Sequence, residues 1–561
     1  MGTGGRGVPP CARTIRSFAL AACLCVGAPA SANDAQKLTN IRRRLTVNDT
    51  KVQASAINDL VEIDSARAID VLERYIRRNV IELEKSGKQM EKLEANFNKK
   101  FDRWLDLWYS RQRGSVKEDN LYREAMFAER RFDTAASNLR VDYWRFVLGA
   151  RAFPRFRSEK AIAQIEKGAA TEVNPLLRQF YITGLAHESR SRSTPTLIEL
   201  TKSKDPRVRA MAIRSLRNFA QKPGVAEAVR ELLLDPAWPV RRGLYEFLAN
   251  APLRVAAPLL VAAGERETGE MALTVFAYLR HVTKTRVSDS GPAWRAWFEA
   301  NRDTIERGIY IEPDEDAARG PLTDESKTVS TFFKIPIDST RIVFVIDVSG
   351  SMTAEMTLAD THTNKIIDKY RLPHTRIGYA KAELIRALGS LRDGTYFNIV
   401  TYSDRAKALS SRMVEAKKIS RGRAIRWVNQ LKTGIETNIY AALDLCFKRY
   451  FLSGGKRRFL DLPDTIIFLT DGNATRGRFQ VTKDLVSLVG IWNDPLDCVI
   501  HCVGIGKGQD RGFLRSISRA TNGFYIDLNA GAKSLKRRER KPRVAAPLAP
   551  EQPEPKAREG E

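Results

Sequence analysis

Cysteine is scarce. Six cysteines in 561 residues are too few for a disulfide-stapled scaffold, and Cys11, Cys23 and Cys25 fall within the first 25 positions. Of the remaining three, Cys498 and Cys502 lie four apart in an apolar stretch that reads as a strand. At ~3.3 Å per residue their Cα atoms stand ~13 Å apart. That is too far to bridge, so buried free thiols are expected. Long apolar runs are missing as well: no stretch reaches 18 uncharged apolar residues, which argues against a membrane-spanning helix. Acids are outnumbered, with 66 Asp and Glu against 93 Lys and Arg and a net charge of +27. This excludes an acidic solvating protein and favours partners that are anionic or carry acidic patches. Enzyme signatures are absent: no G-x-S-x-G, no P-loop, no H-E-x-x-H and no G-x-G-x-x-G after a strand. Apolar residues are not lacking. At 43% they can fill sizeable cores, which excludes wholesale disorder, and the length predicts more than one folded unit.

Arg13 and Arg16 precede an apolar run from Phe18 to Ala30, followed by Ala30-Ser31-Ala32 and polar Asn33-Asp34. A basic segment, a short apolar run and an A-x-A site read as a secretory signal peptide over residues 1–32, cleaved after Ala32. Leu20-Ala21-Ala22-Cys23 is similar to a bacterial lipoprotein box, but the apolar stretch between Arg16 and Cys23 is short even for a signal peptide. Export to a periplasm or the extracellular space is therefore the expectation.

Residues 33–310 read as helical. Val80 to Trp108 predicts a long charged helix with Leu83, Met90, Leu93, Phe97, Trp104, Leu105 and Trp108 as its apolar stripe, and Phe127 to Phe146 predicts another. An internal repeat comes next. Arg178–Leu185, Arg209–Leu216, Arg241–Leu248 and Ala272–Leu279 align, and their final leucines step by 31, 32 and 31 residues. Asn174-Pro175, Asp205-Pro206 and Asp235-Pro236 precede the first three; an Asx before Pro is suited to an N-cap and first helical turn. Each unit then reads as turn, helix, turn, helix, burying its apolar face only by stacking on its neighbours. The pattern resembles HEAT repeats, clearest over 170–282 with a weaker copy over 45–80 that includes Gln53 to Leu60. Trp294, Trp297 and Phe298 form one apolar helical face that could cap the array.

Residues 311–339 are acidic with Gly and Pro and read as a linker, predicting two pieces that fold independently. The texture then changes. Arg341–Ile346, Thr395–Tyr402, Thr465–Leu469 and Cys498–Gly504 are apolar runs, as in strands buried on both faces. Helical patterns alternate with them, and a last short strand is expected over Gly523–Leu528. This predicts an α/β fold with a doubly wound parallel sheet over 340–528. Residues 529–561 read as a disordered basic tail, either solvated or touching an anionic surface.

The first strand runs into Asp347-Val-Ser349-Gly-Ser351-Met352. In an open parallel sheet, ligands bind beyond the carboxyl ends of the strands. The loop offers one carboxylate and two hydroxyls, the oxygen set that hard divalent cations prefer. Thr470-Asp471-Gly472 ends another apolar strand, and Thr437-Asn438 opens a helix between them. With Thr375–Leu388, Val503–Gly506 and Phe513–Gly523, these motifs make residues 340–528 resemble a von Willebrand factor type A domain with a complete metal-ion-dependent adhesion site. The resemblance implies that Asp347, Ser349, Ser351, Thr437 and Asp471 bind Mg²⁺ (or Mn²⁺ or Ca²⁺), some through water. It implies further that an Asp or Glu of a protein partner completes the site. A long insertion between Met352 and Arg376, with His362 and His374, departs from the family pattern. The pairing of helical repeats with this domain resembles exported bacterial interaction proteins. Two other readings stay open: an RNA-binding protein similar to the Ro autoantigen family, which the signal peptide argues against, and a metal-dependent assembly factor for an envelope complex.

Overall fold

The computed structural model describes residues 29–108, 114–187, 192–308, 331–357, 361–451 and 462–530. Most of the expected signal peptide and most of the expected basic tail lie outside these residues, as does the acidic stretch 309–330.

The chain opens with α1 (Pro29–Arg44) and α2 (Thr50–Ile63), the latter started by Asp49, whose carboxylate accepts the amides of Lys51 and Val52. The long charged helix begins well before Val80: α3 runs from Ala66 to Trp108 without a break, because no proline interrupts it. It folds back on α4 (Val116–Ala150) as an antiparallel hairpin. Phe97 meets Phe132 at 6.1 Å and, nearer the turn, Trp104 meets Tyr122 at 5.5 Å.

The repeat units follow as α5 (Glu159–Thr171), α6 (Pro175–Gly184), α7 (Thr194–Leu200), α8 (Pro206–Leu216), α9 (Val225–Val229) and α10 (Trp238–Leu248). Asn174 caps α6 by accepting from Leu176 N and Leu177 N, and Asp205 caps α8 by accepting from Arg207 N. The third copy differs, since α10 starts at Trp238 and Asp235 instead accepts the amide of Ala237 at 2.8 Å. That frees Asp235 for a bidentate pair with Arg209, at 2.7 and 2.9 Å. Arg178, Arg209 and Arg241 occupy the same place in successive units. Arg178 reaches the carbonyls of Ala169 and Ala170, Arg209 that of Ser203 and Arg241 that of Asp235. Arg241 also holds Glu267 of the next unit. One side chain thus satisfies helix-end carbonyls and ties neighbouring units together. α11 (Leu253–Arg266), α12 (Gly269–Thr283) and α13 (Gly291–Glu306) complete the array, and α13 buries Trp294 and Phe298.

Apart from a short two-stranded hairpin, the described strands form one mixed sheet, in the order Ala406–Ala408, Tyr396–Tyr402, Arg341–Asp347, Thr465–Thr470, Val499–Gly504 and Tyr525–Asp527. Its parallel part is β4 (Tyr396–Tyr402), β3 (Arg341–Asp347), β7 (Thr465–Thr470), β8 (Val499–Gly504) and β9 (Tyr525–Asp527). Central β3 is registered with Asp347 opposite Tyr402 and Ile346 opposite Leu469. Ile342, Phe344 and Ile346 pack into one core, Val343 and Val345 into the other; this is why the strand reads as a continuous apolar run rather than an alternating one. α14 (Thr361–Tyr370), α15 (Arg376–Ser390) and α16 (Lys418–Asn429) contribute to the first core; α17 (Ile439–Phe451), α18 (Thr482–Asn493) and α19 (Arg511–Ala520) contribute to the second. The purely parallel expectation needs amending at one edge, where β5 (Ala406–Ala408) and β6 (Val414–Glu415) pair antiparallel with β4. They are too short and too polar to read as strands. Cys446, Cys498 and Cys502 are buried free thiols.

The expected linker also changes. Residues 331–339 belong to the sheet domain: β1 (Thr331–Phe332) and β2 (Ile335–Pro336) form a hairpin, and Phe332, Phe333, Ile335 and Ile337 are buried in its first core. Nor are the two halves independent, because the second core continues into the helical array. α18 and the loop after it meet α4, α6, α8 and α10 of the helical half. Trp144 Nε1 donates to Asp484 at 2.9 Å, and the Tyr143 hydroxyl lies 3.1 Å from that of Ser487. Gln179 donates to Ile491 O at 2.9 Å, while Arg242 pairs with Asp497 at 3.0 Å and Arg214 with the same acid at 3.4 Å.

Two measurements check this account. Asp497→Ala leaves Arg242, 3% exposed, facing Arg214 without its acid. Breaking a buried pair from one side costs about 3–5 kcal/mol, so chemical denaturation should show a loss of that order. His501 is buried, stacked on Phe524, and its Nδ1 accepts the Phe524 amide at 3.0 Å. Burial pushes its pKa down from 6.5 to about 4. The unfolded chain therefore takes up this proton first as pH falls below 6.5. Stability should drop between pH 6.5 and 4 by up to about 3 kcal/mol from this group, and His501→Asn should remove that component of the slope.

Candidate metal centre

Asp347 ends β3 at the carboxyl edge of the sheet and is fully buried. One carboxylate oxygen accepts the Ser349 amide at 2.8 Å, closing a tight turn, and the other accepts the Thr470 hydroxyl at 2.8 Å. From there a chain of side chains runs across the edge. The Ser349 and Ser351 hydroxyls lie 3.1 Å apart, Ser351 donates to Asp471 at 2.8 Å, and Arg376 Nη1 donates to the other Asp471 oxygen at 2.8 Å. Asp471 and Ser349 are buried, whereas Ser351 is open to solvent. Burial pushes the Asp347 carboxyl up to about 6, and the neighbouring Asp471 carboxylate acts in the same direction. Two acids held this close favour a cation between them.

Thr437, also buried, comes to the same edge through the backbone. Gly434 N donates to Val348 O and Gly350 N to Ile435 O, which seats its loop against Asp347–Ser351. Thr437 N donates to the Thr475 hydroxyl, and Thr437 O accepts the amides of Thr475 and Arg476. The fold thus brings all five expected residues to one sheet edge, four of them through hydrogen bonds of their side chains.

Two residues of this edge stand outside the expected ligand set, Thr470 and Arg376. Thr470 stands beside Asp471 in the motif itself. Arg376 opens α15, directly after its N-cap Thr375, and only the tertiary fold turns it onto Asp471. The insertion folds as α14, with a bridge between Glu355 and Thr375. His374 is exposed and lies near Tyr379 rather than among the acids; the His362 side chain is outside the described residues.

Residues 342–537 match the family model for the von Willebrand factor type A domain, and residues 162–249 match that for HEAT repeats. The C-terminal part of the chain is a von Willebrand factor type A-like α/β domain. Among curated proteins, the chain is 25% identical over 190 residues to inter-alpha-trypsin inhibitor heavy chain H1 of Mesocricetus auratus, covering 33% of this chain and 18% of that one. It is 28% identical over 208 residues to human von Willebrand factor A domain-containing protein 5A, covering 36% and 23%. The chain thus spans about a fifth of the length of these relatives. A solved structure titled von Willebrand factor type A from Catenulispora acidiphila is 22% identical, covering 34% of this chain and 39% of that one with a TM-score of 0.25.

Type A domains commonly bind a divalent metal at this edge. The residues present fit one: two carboxylates and hydroxyls from three loops, all oxygen donors, suit Mg²⁺, Mn²⁺ or Ca²⁺. No cluster of three or more His, Cys, Asp or Glu suited to a metal occurs among the described residues, so the hydroxyls have to complete the set. Arg376 leaves the edge with roughly one net negative charge before any cation arrives.

Asp347→Asn should separate stability from binding. It removes a desolvated charge, so in EDTA the variant should melt at or above the wild-type temperature. The upward shift that Mg²⁺ or Mn²⁺ gives the wild type should vanish. Ser351→Ala removes one neutral, solvent-facing oxygen that water can replace, and should keep most of that shift.

Proposed function

We propose that this chain is a non-enzymatic, exported interaction protein that captures a protein partner through an acidic side chain at a Mg²⁺ site. Asp347, Ser349, Ser351, Thr437 and Asp471 would hold the metal, directly or through water. The observation that carries the reading is the run of hydrogen bonds from Asp347 through Ser349 and Ser351 to Asp471, two acids and their hydroxyls preassembled at one edge. Bound Mg²⁺ would supply a coordination position that an Asp or Glu of the partner takes from water.

The residues around the metal have separable roles. Asp347 and Asp471 provide the charge. Ser349 and Ser351 provide neutral oxygens, the outer one open to solvent where a partner approaches. Thr470 and the Ser349 amide fix the Asp347 carboxylate, and Arg376 fixes that of Asp471. Inter-alpha-trypsin inhibitor heavy chains and type A domain-containing protein 5A carry related domains, which supports an interaction or scaffold role. Export rests on the Arg13-to-Ala32 segment, and a mature N-terminus near Asn33 is expected.

The test is capture of partners from the envelope and secreted fractions of the source with the full mature chain, in Mg²⁺ and in EDTA. Partners retained only in Mg²⁺, and lost with Asp347→Asn, are expected. A partner retained equally in EDTA would remove the metal-bridged mechanism.

A further inference from the structure

The metal edge touches the helical half of the chain. Three loops border the Thr437 side of the site: 403–405, 434–438 and 474–478. Two of them, 403–405 and 474–478, are linked directly to the segment Glu94–Asp102 of α3, and 434–438 is tied to those two through Asp404 and the Arg476 amide. Arg405 donates to Asp102 at 2.6 Å and to Asn98 O at 3.2 Å, and Arg478 donates to Glu94 at 2.9 and 3.2 Å. Arg476 lies between these two arms, 5% exposed, with its guanidinium carbon 3.8 Å from the ring centre of Phe97 and 4.8 Å from that of Phe101. Its Nη1 donates to Asp404 at 3.1 Å, while Nη2 has no hydrogen-bond partner. The ring faces of the hairpin therefore share this charge with Asp404 and, at longer range, with Glu129 and Glu436.

The chain of contacts continues from Arg476 to the site. Asp404 accepts the amides of Ile435 at 3.1 Å and Glu436 at 3.3 Å, and the Arg476 amide itself donates to Thr437 O. Gly477 makes the local turn that sends Arg476 and Arg478 the same way. Its φ is +117° and a Cβ there would stand 2.3 Å from Asn438 Oδ1, so the loop accepts no other residue without moving Asn438.

We propose that the tip of the α3–α4 hairpin positions the metal site, with Phe97 and Phe101 clamping Arg476, which holds Asp404 and through it the Thr437 loop. Arg476 is a positioning residue: it touches neither Asp347 nor Asp471. The consequence is that metal affinity in the type A domain depends on Phe97 of the helical half, more than 300 positions before Thr437. The inference rests on the metal-site reading above.

The test uses the full chain with Phe97→Leu, Arg476→Met, Arg476→Lys and Asp347→Asn. Mn²⁺ affinity is read by calorimetry well below each melting temperature. Amide exchange over 434–438 is read in EDTA, where no metal contributes. Phe97→Leu and Arg476→Met keep apolar bulk but lose the ring–cation contact. Each should weaken Mn²⁺ by about 3- to 10-fold, the range of one partly desolvated cation–π contact, and speed exchange over 434–438. Arg476→Lys keeps a cation over the rings and should recover most of both. Wild-type affinity and exchange in Phe97→Leu and Arg476→Met would overturn the clamp while leaving the site intact. Wild type binding Mn²⁺ no better than Asp347→Asn would overturn the site reading, and the clamp's role with it. Should Phe97→Leu fail to fold, Glu94→Gln on the same hairpin should give about a 2-fold loss, and no loss would count against the proposal.

Discussion

The molecule is organised around a carboxylate, that of Asp347, at the end of a strand buried on both faces. β3 is flanked by β4 and β7 and needs apolar cover above and below. Its last side chain is a buried acid 0% exposed, and a buried charge is tolerated only with hydrogen bonds or a counter-charge. The carboxyl ends of the strands and the loops leaving them provide both. The turn into Ser349 returns an amide, the end of β7 returns a hydroxyl, and the second acid is met by Arg376. The edge is hydrogen-bonded yet short of positive charge, which is the condition under which a divalent ion gains most by entering.

Covering the second face of the sheet requires the helical array. α17, α18 and α19 close that face, but α18 and the loop after it still offer Asp484, Ser487, the Ile491 carbonyl, Asp494 and Asp497 to the helical array. The hairpin and three repeat units contribute to this line: Trp144 comes from α4, and Gln179, Arg214 and Arg242 come from α6, α8 and α10. The stacked helices thus present a row of donors along one helix. Here the repeats serve as a wall for the type A domain as well as a scaffold.

Much of this was legible in the residues. Strand runs of β-branched and aromatic side chains bounded by polar turns place β3, β4, β7 and β8 to within a residue or two, because a strand buried on both faces leaves no other pattern. The Asp-Pro and Asn-Pro steps mark the repeats because cap chemistry is local. Even there, Asp235 was drawn away from capping α10 by Arg209 in the preceding unit, a contact that no local rule contains. The acidic site motifs were readable because each lies at the end of a recognisable strand or the start of a helix.

What the sequence determined, then, is every feature whose cause lies within a few residues: the helix starts, the buried strands, the oxygen-rich loops and their place at the sheet edge. Tertiary structure decided the rest. Nothing near Arg376 marks it as the partner of Asp471, and nothing near Phe97 separates it from an ordinary core aromatic. The residues after 331 read as linker because a two-residue strand and four apolar side chains carry too little periodicity to register. The halves read as separate because an interface built from one or two residues per repeat leaves no run in either sequence. Such contacts are chosen by how two already folded surfaces meet, and that information exists only once both have folded.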